Sequence, residues 1–289
     1  MNLGSLPSRH AQYTPHRPAV VFEDQRYTWH EFNARVNQAA HLLLDLGLNK
    51  GDKVATILPN GIEVLDLYWA VAKTGIVIVP LSPMLRGEGL VSLLQNSDAQ
   101  AIVTTAEMTG HIESFRDTLT NIPAGNILCV DNSNLADYPS YHALHTAAST
   151  DELPYVNNQD EDLYNIIYSS GTTGLPKGIM HTHYIRGMYC QGFSTIFRIM
   201  PESVILHTGS LVFNGAFLTF MPAFYNGAKY VLHPYFDVER LALYNLKLQI
   251  LERREKFDKK EGVLRLHAMM DGARDYYKSG TRSLESHDG

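Results

Sequence analysis

The sequence predicts an α/β fold in which strands and helices alternate in layers, and two observations carry that reading. Short apolar runs bounded by turn formers alternate with longer segments of helical periodicity between residues 19 and 130, a pattern that predicts α/β layering with right-handed crossovers. One run, Ile76 to Pro80, is apolar throughout, as a strand is when helices cover both faces of a parallel sheet.

Met1 to Pro18 reads as irregular because Pro7, Pro15 and Pro18 interrupt a polar stretch, which has no apolar region of the kind a secretory leader carries. Ala19 to Glu23 and Arg26 to Thr28 flank the polar pair Asp24-Gln25, which predicts a hairpin. Thr28 and Glu31 stand three apart ahead of Phe32, Val36, Ala39, Ala40, Leu43 and Leu44. That is a capping box followed by an apolar stripe, so a helix is expected up to Gly47. Lys53 to Leu58 is the next strand, and Pro59-Asn60-Gly61 ends it. A helix carrying Val64, Leu67, Trp69, Ala70 and Ala72 follows and stops at Gly75. Beyond the Ile76 strand come a helix over 90–96, a strand over 101–104, a helix over 112–119 and a strand over 127–130. Residues 131–162, acidic and rich in turn formers, read as a surface loop.

Leu163 to Tyr168, centred on Ile166 and Ile167, reads as a buried strand that delivers the loop Ser169-Ser170-Gly171-Thr172-Thr173-Gly174-Leu175-Pro176-Lys177-Gly178. Gly171 and Gly174 let backbone approach a bulky ligand or take positive φ. Four hydroxyls can donate to phosphate oxygens, and Lys177 adds a point charge. This is the chemistry of a polyphosphate cradle. It is not the Walker loop, because Lys177 precedes Gly178 and no hydroxyl follows. The plain alternative for such residues is a polar surface turn. A helix is expected over 179–189, with Thr182 and His183 in its first turns, and a strand over 204–209. Phe213, Phe217, Phe220 and Phe224 recur at helical steps as a core stripe. A strand reaching His233 and a helix capped by Asp237 complete this part.

Residues 246–261 are charge-laden, as a solvated helix face is, and 280–289 read as a frayed end. The expected organisation is one domain over 1–241 and an unrecognised tail over 242–289, helical and then frayed. A net charge of -6 argues against a nucleic-acid binder, which would concentrate Lys and Arg. Cys129 and Cys190 are far apart and lack metal-ligand spacing, so neither a disulfide nor a metal site is indicated, and a cytoplasmic setting suits them. The longest apolar stretches fall short of the roughly 18 residues a membrane helix needs, so no integral membrane segment is expected.

The string from Tyr168 to Gly178 resembles the phosphate-binding signature of the AMP-forming adenylating family, which includes acyl-CoA synthetases, peptide-synthetase adenylation domains and luciferases. Ser169 stands where Thr is more usual and keeps the hydroxyl. The segment Gly47 to Pro83 is similar to the same family in its Gly-Asp-Lys-Val strand, its Leu-Pro-Asn turn and its Lys-Thr-Gly before a strand. Turn and core chemistry also explain those residues by themselves. The resemblance implies an incomplete N-terminal domain of an adenylate-forming enzyme. Its implied reaction is activation of a carboxylic acid by ATP, with Mg²⁺, and transfer of the acyl group to coenzyme A. Ser169, Ser170, Gly171, Thr172, Thr173, Gly174, Pro176, Lys177 and Gly178 would then hold the ATP phosphates. Leu211 to Phe217 resembles the family motif that gates the acid pocket, with Phe213 at the gate and Asn214 and Gly215 beside it. His183 stands where the family tends to carry a His, and is read either as lining the acid or adenylate site or as a structural residue against the sheet. Phe213 suggests an apolar wall for a fatty, aromatic or alicyclic acid.

The resemblance ends near Leu241. The sequence contains no Tyr-Gly-x-Thr-Glu string and no Thr-Gly-Asp string, which in the family serve adenine, metal and ribose, and no lysine is assigned to adenylation. The expectation is a truncated, catalytically incomplete acid:CoA ligase. A non-catalytic regulatory or interaction protein reusing the half-domain is the alternative. A kinase is disfavoured, because Walker spacing, a kinase Gly-rich loop and a His-Arg-Asp string are all missing.

Overall fold

The computed structural model describes residues 1–131, 138–169 and 176–238. The chain divides into two units, Met1–Phe236 and Asp237–Gly289. The helix expected after Asp237 and the tail over 242–289 lie outside the described residues.

Two sheets form the first unit. Strands β1 (Pro18–Phe22) and β2 (Gln25–Thr28) make the expected hairpin. Helix α2 (Trp29–Asp45) starts at the predicted capping box: the Thr28 hydroxyl accepts from the Glu31 backbone N–H, and the Glu31 carboxylate accepts from that of Thr28. Strand β3 (Lys53–Ile57), helix α3 (Ile62–Thr74), strand β4 (Val77–Leu81), helix α4 (Gly87–Asn96) and strand β5 (Ala101–Thr104) follow as the alternation requires, with β6 at Ile127–Cys129. Strands β7 (Leu163–Ser169) and β8 (Lys177–Thr182) complete a six-stranded sheet of order β6-β5-β3-β4-β7-β8. It is parallel except for β8, which runs antiparallel to β7 at the edge. The second sheet, of order β2-β1-β10-β9, pairs the hairpin with β10 (Lys229–Leu232) and β9 (Val204–His207).

Period-two alternation sorts the apolar strand residues between two cores. Val54, Ile78, Ala101, Val103 and Leu128 face a large core shared with α2, α3, helix α8 (Phe217–Asn226) and the four-stranded sheet. Ala55, Ile57, Val77, Val79 and Ile102 face the opposite side, where α4 and α5 (Ala106–Glu113) supply Leu90, Leu93, Leu94, Met108 and Ile112. In α3 every residue but Glu63 is buried, Asp66 and Lys73 included. Trp69 packs on Phe220 and Phe224 with ring centroids 5.3 and 4.9 Å apart. Gly75 ends α3 with φ of 76°, and a Cβ there would sit 2.6 Å from Asn158 Oδ1, so conformation and space both require glycine.

Four expectations need correction. The irregular start contains helix α1 (Ser5–Tyr13). Pro7 falls in its first turn, where no backbone N–H is needed, and Leu3 and Leu6 are buried. The expected loop over 131–162 contains α6 (Tyr141–Ala147), capped by the Ser140 hydroxyl. Its buried Tyr141 and His145 stand four apart and stack at 5.4 Å. The helix expected over 112–119 is displaced to α5, followed by a single 3₁₀ turn at Arg116–Thr118. Residues 179–182 are strand, and helix α7 (His183–Ile196) begins only after Thr182, whose hydroxyl caps it. Hydrogen-bonding to β7 decides that boundary, because the ladder claims the backbone up to Thr182.

Two polar clamps join the parts. The Asn60 side chain donates to the carbonyls of Gly209 (2.6 Å) and His233 (2.9 Å) and accepts from the Leu211 N–H (2.9 Å). Lys73, nearly buried, donates to Ser8 Oγ, Asn33 Oδ1, Asn37 Oδ1 and Glu152 Oε1 at 2.5–2.9 Å. Burial pushes the Glu152 carboxyl up, but hydrogen bonds from Lys73, Ser8 and Asn33 outweigh it and hold the group below the usual carboxylate range. Its stabilisation is therefore complete above the unfolded-state pKa and is lost as pH falls through the depressed folded-state value. The thermal-stability gap between the wild type and Glu152→Gln should be open at pH 7 and narrow as the solution is acidified toward pH 3. Asn60→Ala, which strands three backbone groups, should lower stability by about 2–4 kcal/mol in urea unfolding.

Candidate active site

The β7–β8 hairpin carries the ends of the candidate phosphate loop. Ser169 and Lys177 are paired across the hairpin, as are Tyr168 and Gly178, so the intervening chain leaves and returns at one point on the sheet edge. Lys177 and Gly178 belong to the strand, and loop residues Ser170, Gly171, Thr172, Thr173 and Gly174 lie outside the described residues. Ser169, Pro176 and Lys177 are exposed. A Cβ on Gly178 would come within 3.0 Å of Ile166 Cγ2 and 3.3 Å of the Tyr168 ring. The glycine thus lets β7 side chains close over β8. The Tyr168 hydroxyl donates to Asn96 Oδ1 at 2.7 Å and ties the strand end to α4.

Behind the hairpin, the other candidates separate into buried and open groups. His183, the first residue of α7, is buried edge-on against Tyr164 at 5.6 Å, and neither ring nitrogen has a partner. Burial pushes its imidazole down to about 4, so it is neutral at pH 7. Phe213 is 56% exposed, whereas Phe217, Phe220 and Phe224 are buried. The aromatic stripe therefore begins at Phe217, and Phe213 stands outside it ahead of a 3₁₀ turn at Asn214–Ala216. Asn214 is half-buried and Gly215 exposed. A Cβ on Gly215 would meet nothing within 4 Å.

One residue that sequence reasoning passed over links these groups. Arg186, on α7, is fully buried. Its Nε donates to Asn165 Oδ1 at 2.9 Å and its Nη1 to Asn214 Oδ1 at 3.0 Å. The guanidinium lies over the Phe217 ring at 3.7 Å and the Tyr189 ring at 5.0 Å. Asn165 is buried in the middle of the β7 ladder. A signal was available: His183, Arg186, Gly187 and Cys190 fall at helical spacing and form the buried stripe of α7, which puts a cation on an inward face. Asn60, read as part of a turn, holds the chain just before Phe213 in place through Gly209 and Leu211. Among the described residues no cluster of three or more His, Cys, Asp or Glu side chains could hold a metal, and no helix is long and apolar enough to cross a membrane.

Comparison with known proteins places this geometry. A family model described as AMP-binding enzyme matches residues 7–251. The long-chain-fatty-acid–CoA ligase FadD13 of Mycobacterium tuberculosis is 32% identical over 185 residues, which are 63% of this chain and 35% of that protein. Bacitracin synthase 1 of Bacillus licheniformis is 30% identical over 230 residues, covering 80% of this chain and 4% of the synthase. The match to the ligase thus spans about a third of its length. Among solved structures, a fatty acyl CoA synthetase of Mycobacterium tuberculosis superposes with a TM-score of 0.74 at 26% identity, over 82% of this chain and 45% of that one. An anthranilate CoA ligase in complex with anthranoyl-AMP shares the fold with a TM-score of 0.77 at 23% identity, over 85% of this chain and 47% of that one. Matched by the family model over most of its length, and built on the fold of these synthetases, the chain belongs to the AMP-binding enzyme family.

Proposed function

We propose that this chain carries the phosphate-holding and acid-holding part of an adenylate-forming site that activates a carboxylic acid with ATP and passes the acyl group to coenzyme A. The observation that carries the reading is the hairpin register. Pairing of Ser169 with Lys177 sets a hydroxyl and a cation at the two ends of one Gly/Ser/Thr loop on an exposed sheet edge. In the reaction, a carboxylate oxygen attacks the α-phosphorus of ATP, and the bond to the bridging oxygen breaks as pyrophosphate leaves. The coenzyme A thiol then displaces AMP from the acyl carbon. Charge grows on pyrophosphate as the bond breaks, so donors aimed at the β- and γ-phosphates favour its departure.

Ser169, Lys177 and the loop residues Ser170, Gly171, Thr172, Thr173 and Gly174 are assigned to the phosphates, with Pro176 and Gly178 shaping the return into β8. His183, Phe213, Asn214 and Gly215 are assigned to the acid side. Mg²⁺ belongs to the nucleotide chemistry of this reading, and no described residue cluster is assigned to it. The FadD13 ligase and the anthranilate CoA ligase support acid:CoA ligation, while the match to bacitracin synthase leaves the class of acid to experiment. The domain reading, 1–241 with a separate tail over 242–289, is kept as part of the proposal.

These 289 residues lack the adenine, ribose and metal strings of the family, so in isolation they are expected to bind ATP weakly and to turn over little. ATP–pyrophosphate exchange with a panel of carboxylic acids should stay near background. Titration with a fluorescent ATP analogue should saturate and weaken by about five- to tenfold in Lys177→Ala, the value of one charge-assisted phosphate contact. Binding indifferent to Lys177 would remove the phosphate role of the hairpin. Lys177-dependent exchange would show that the chain is a working adenylation unit.

A further inference from the structure

We infer that Arg186 is the recognition point for a second carboxylate on the acid substrate, so that the site takes a dicarboxylic acid; this rests on the proposed acid-activating role. The argument begins with charge. Arg186 is fully buried, and no Asp or Glu among the described residues pairs with it. Burial lowers its pKa to about 10, so it remains a cation at neutral pH. A buried cation without an anion is costly, and its hydrogen-bonding partners here are neutral amides.

Hydrogen bonding points the same way. Nε and Nη1 donate to Asn165 and Asn214, while Nη2 has no partner. Since a guanidinium only donates, Asn165 must turn Oδ1 toward it, and the amide nitrogen Nδ2 is the atom left without a partner. The buried pair therefore offers donors on two side chains and no acceptor in need. Stacking on Phe217 and Tyr189 occupies the faces of the guanidinium, but the in-plane N–H groups are what a carboxylate reads, in a fork across Nη1 and Nη2.

Arg186 itself is enclosed, and the hydrogen bond to Asn214 is what connects it toward the surface. Asn214 is half-buried, Gly215 beside it is exposed and an added Cβ there would meet nothing within 4 Å, and Phe213 lies open to solvent. The same charge disfavours an ammonium group at this place, which sets the site against amino-acid substrates. It also departs from the apolar wall that Phe213 alone suggests.

The test is calorimetric titration of the purified chain with malonate, succinate, glutarate and adipate, each beside the monocarboxylate of equal carbon number, with ATP-analogue binding measured on the same preparations. At least one dicarboxylate should bind about tenfold or more tightly than its monocarboxylate, as a buried charge-assisted contact allows. Arg186→Met, checked by circular dichroism, should erase the preference and leave ATP-analogue binding unchanged. Equal binding of the two acid series by the wild type would overturn the inference whether or not the variant folds. A preference that survives in a folded Arg186→Met would overturn it as well. ATP bound without any dicarboxylate preference would leave acid activation standing and remove only the subsite. Dicarboxylate preference without ATP binding would remove the nucleotide chemistry and keep Arg186 as a carboxylate reader, and no binding of either would count against both.

Discussion

Helix α3 can exist only between other elements. With Leu65, Leu67, Tyr68, Trp69 and Val71 all removed from water, it has no face to offer solvent, and each of these larger side chains contributes about 1.5–3 kcal/mol only while its neighbours remain in place. The six-stranded sheet, α2 and α8 supply that cover and share one continuous core with the four-stranded sheet. The candidate site inherits its rigidity from this arrangement. The Tyr68 hydroxyl donates to the Leu211 carbonyl at 2.8 Å, and the Tyr164 hydroxyl to the Tyr68 carbonyl at 3.0 Å. The strand that leads to the candidate phosphate loop and the segment that leads to Phe213 are therefore referenced to one buried helix.

Polar groups inside this core specify position more than they add stability. Lys73 sits among Ser8, Asn33, Asn37 and Glu152 and joins α1, α2, α3 and the chain before β7 at one point. Asn60 does the same for the loops that follow β9 and β10. Such networks have few alternative arrangements that satisfy every member, so they select one register of packing. Arg186 differs from both. Its partners satisfy only part of its donor set, leaving Nη2 without one.

Much of the fold was legible in the sequence wherever a local signal and the tertiary context agreed. The Thr28–Glu31 box placed the start of α2, and the all-apolar β4 run announced a sheet covered on both faces. The failures have physical causes. Helix α6 has seven residues, too few for periodicity to register, and α1 was hidden by a proline that its first turn tolerates. The start of α7 was misplaced because Lys177 to Thr182 carries little strand pattern of its own, with Lys177 to Met180 all exposed. Pairing with β7, a non-local contact, is what makes it a strand. In the candidate site, the loop stands out as a string of Ser, Thr and Gly. Helical spacing could have put Arg186 on an inward face, but its partners Asn165 and Asn214 are remote in sequence and meet it only when β7, α7 and the turn before α8 are assembled.

The four-stranded sheet sets an order of events in synthesis. Strand β1 pairs with β2 within a few residues, but its other neighbour is β10, with Val20 opposite Tyr230. At translation rates of about 5–20 residues per second, roughly 10–40 s separate the appearance of these two strands. Through that interval the six-stranded sheet can assemble from contiguous βα units, while the hairpin holds Val20 and Val21 beside an edge with no partner yet made. Strand β1 is thus closed only when β10 emerges, and the nascent chain carries an open sheet edge until then.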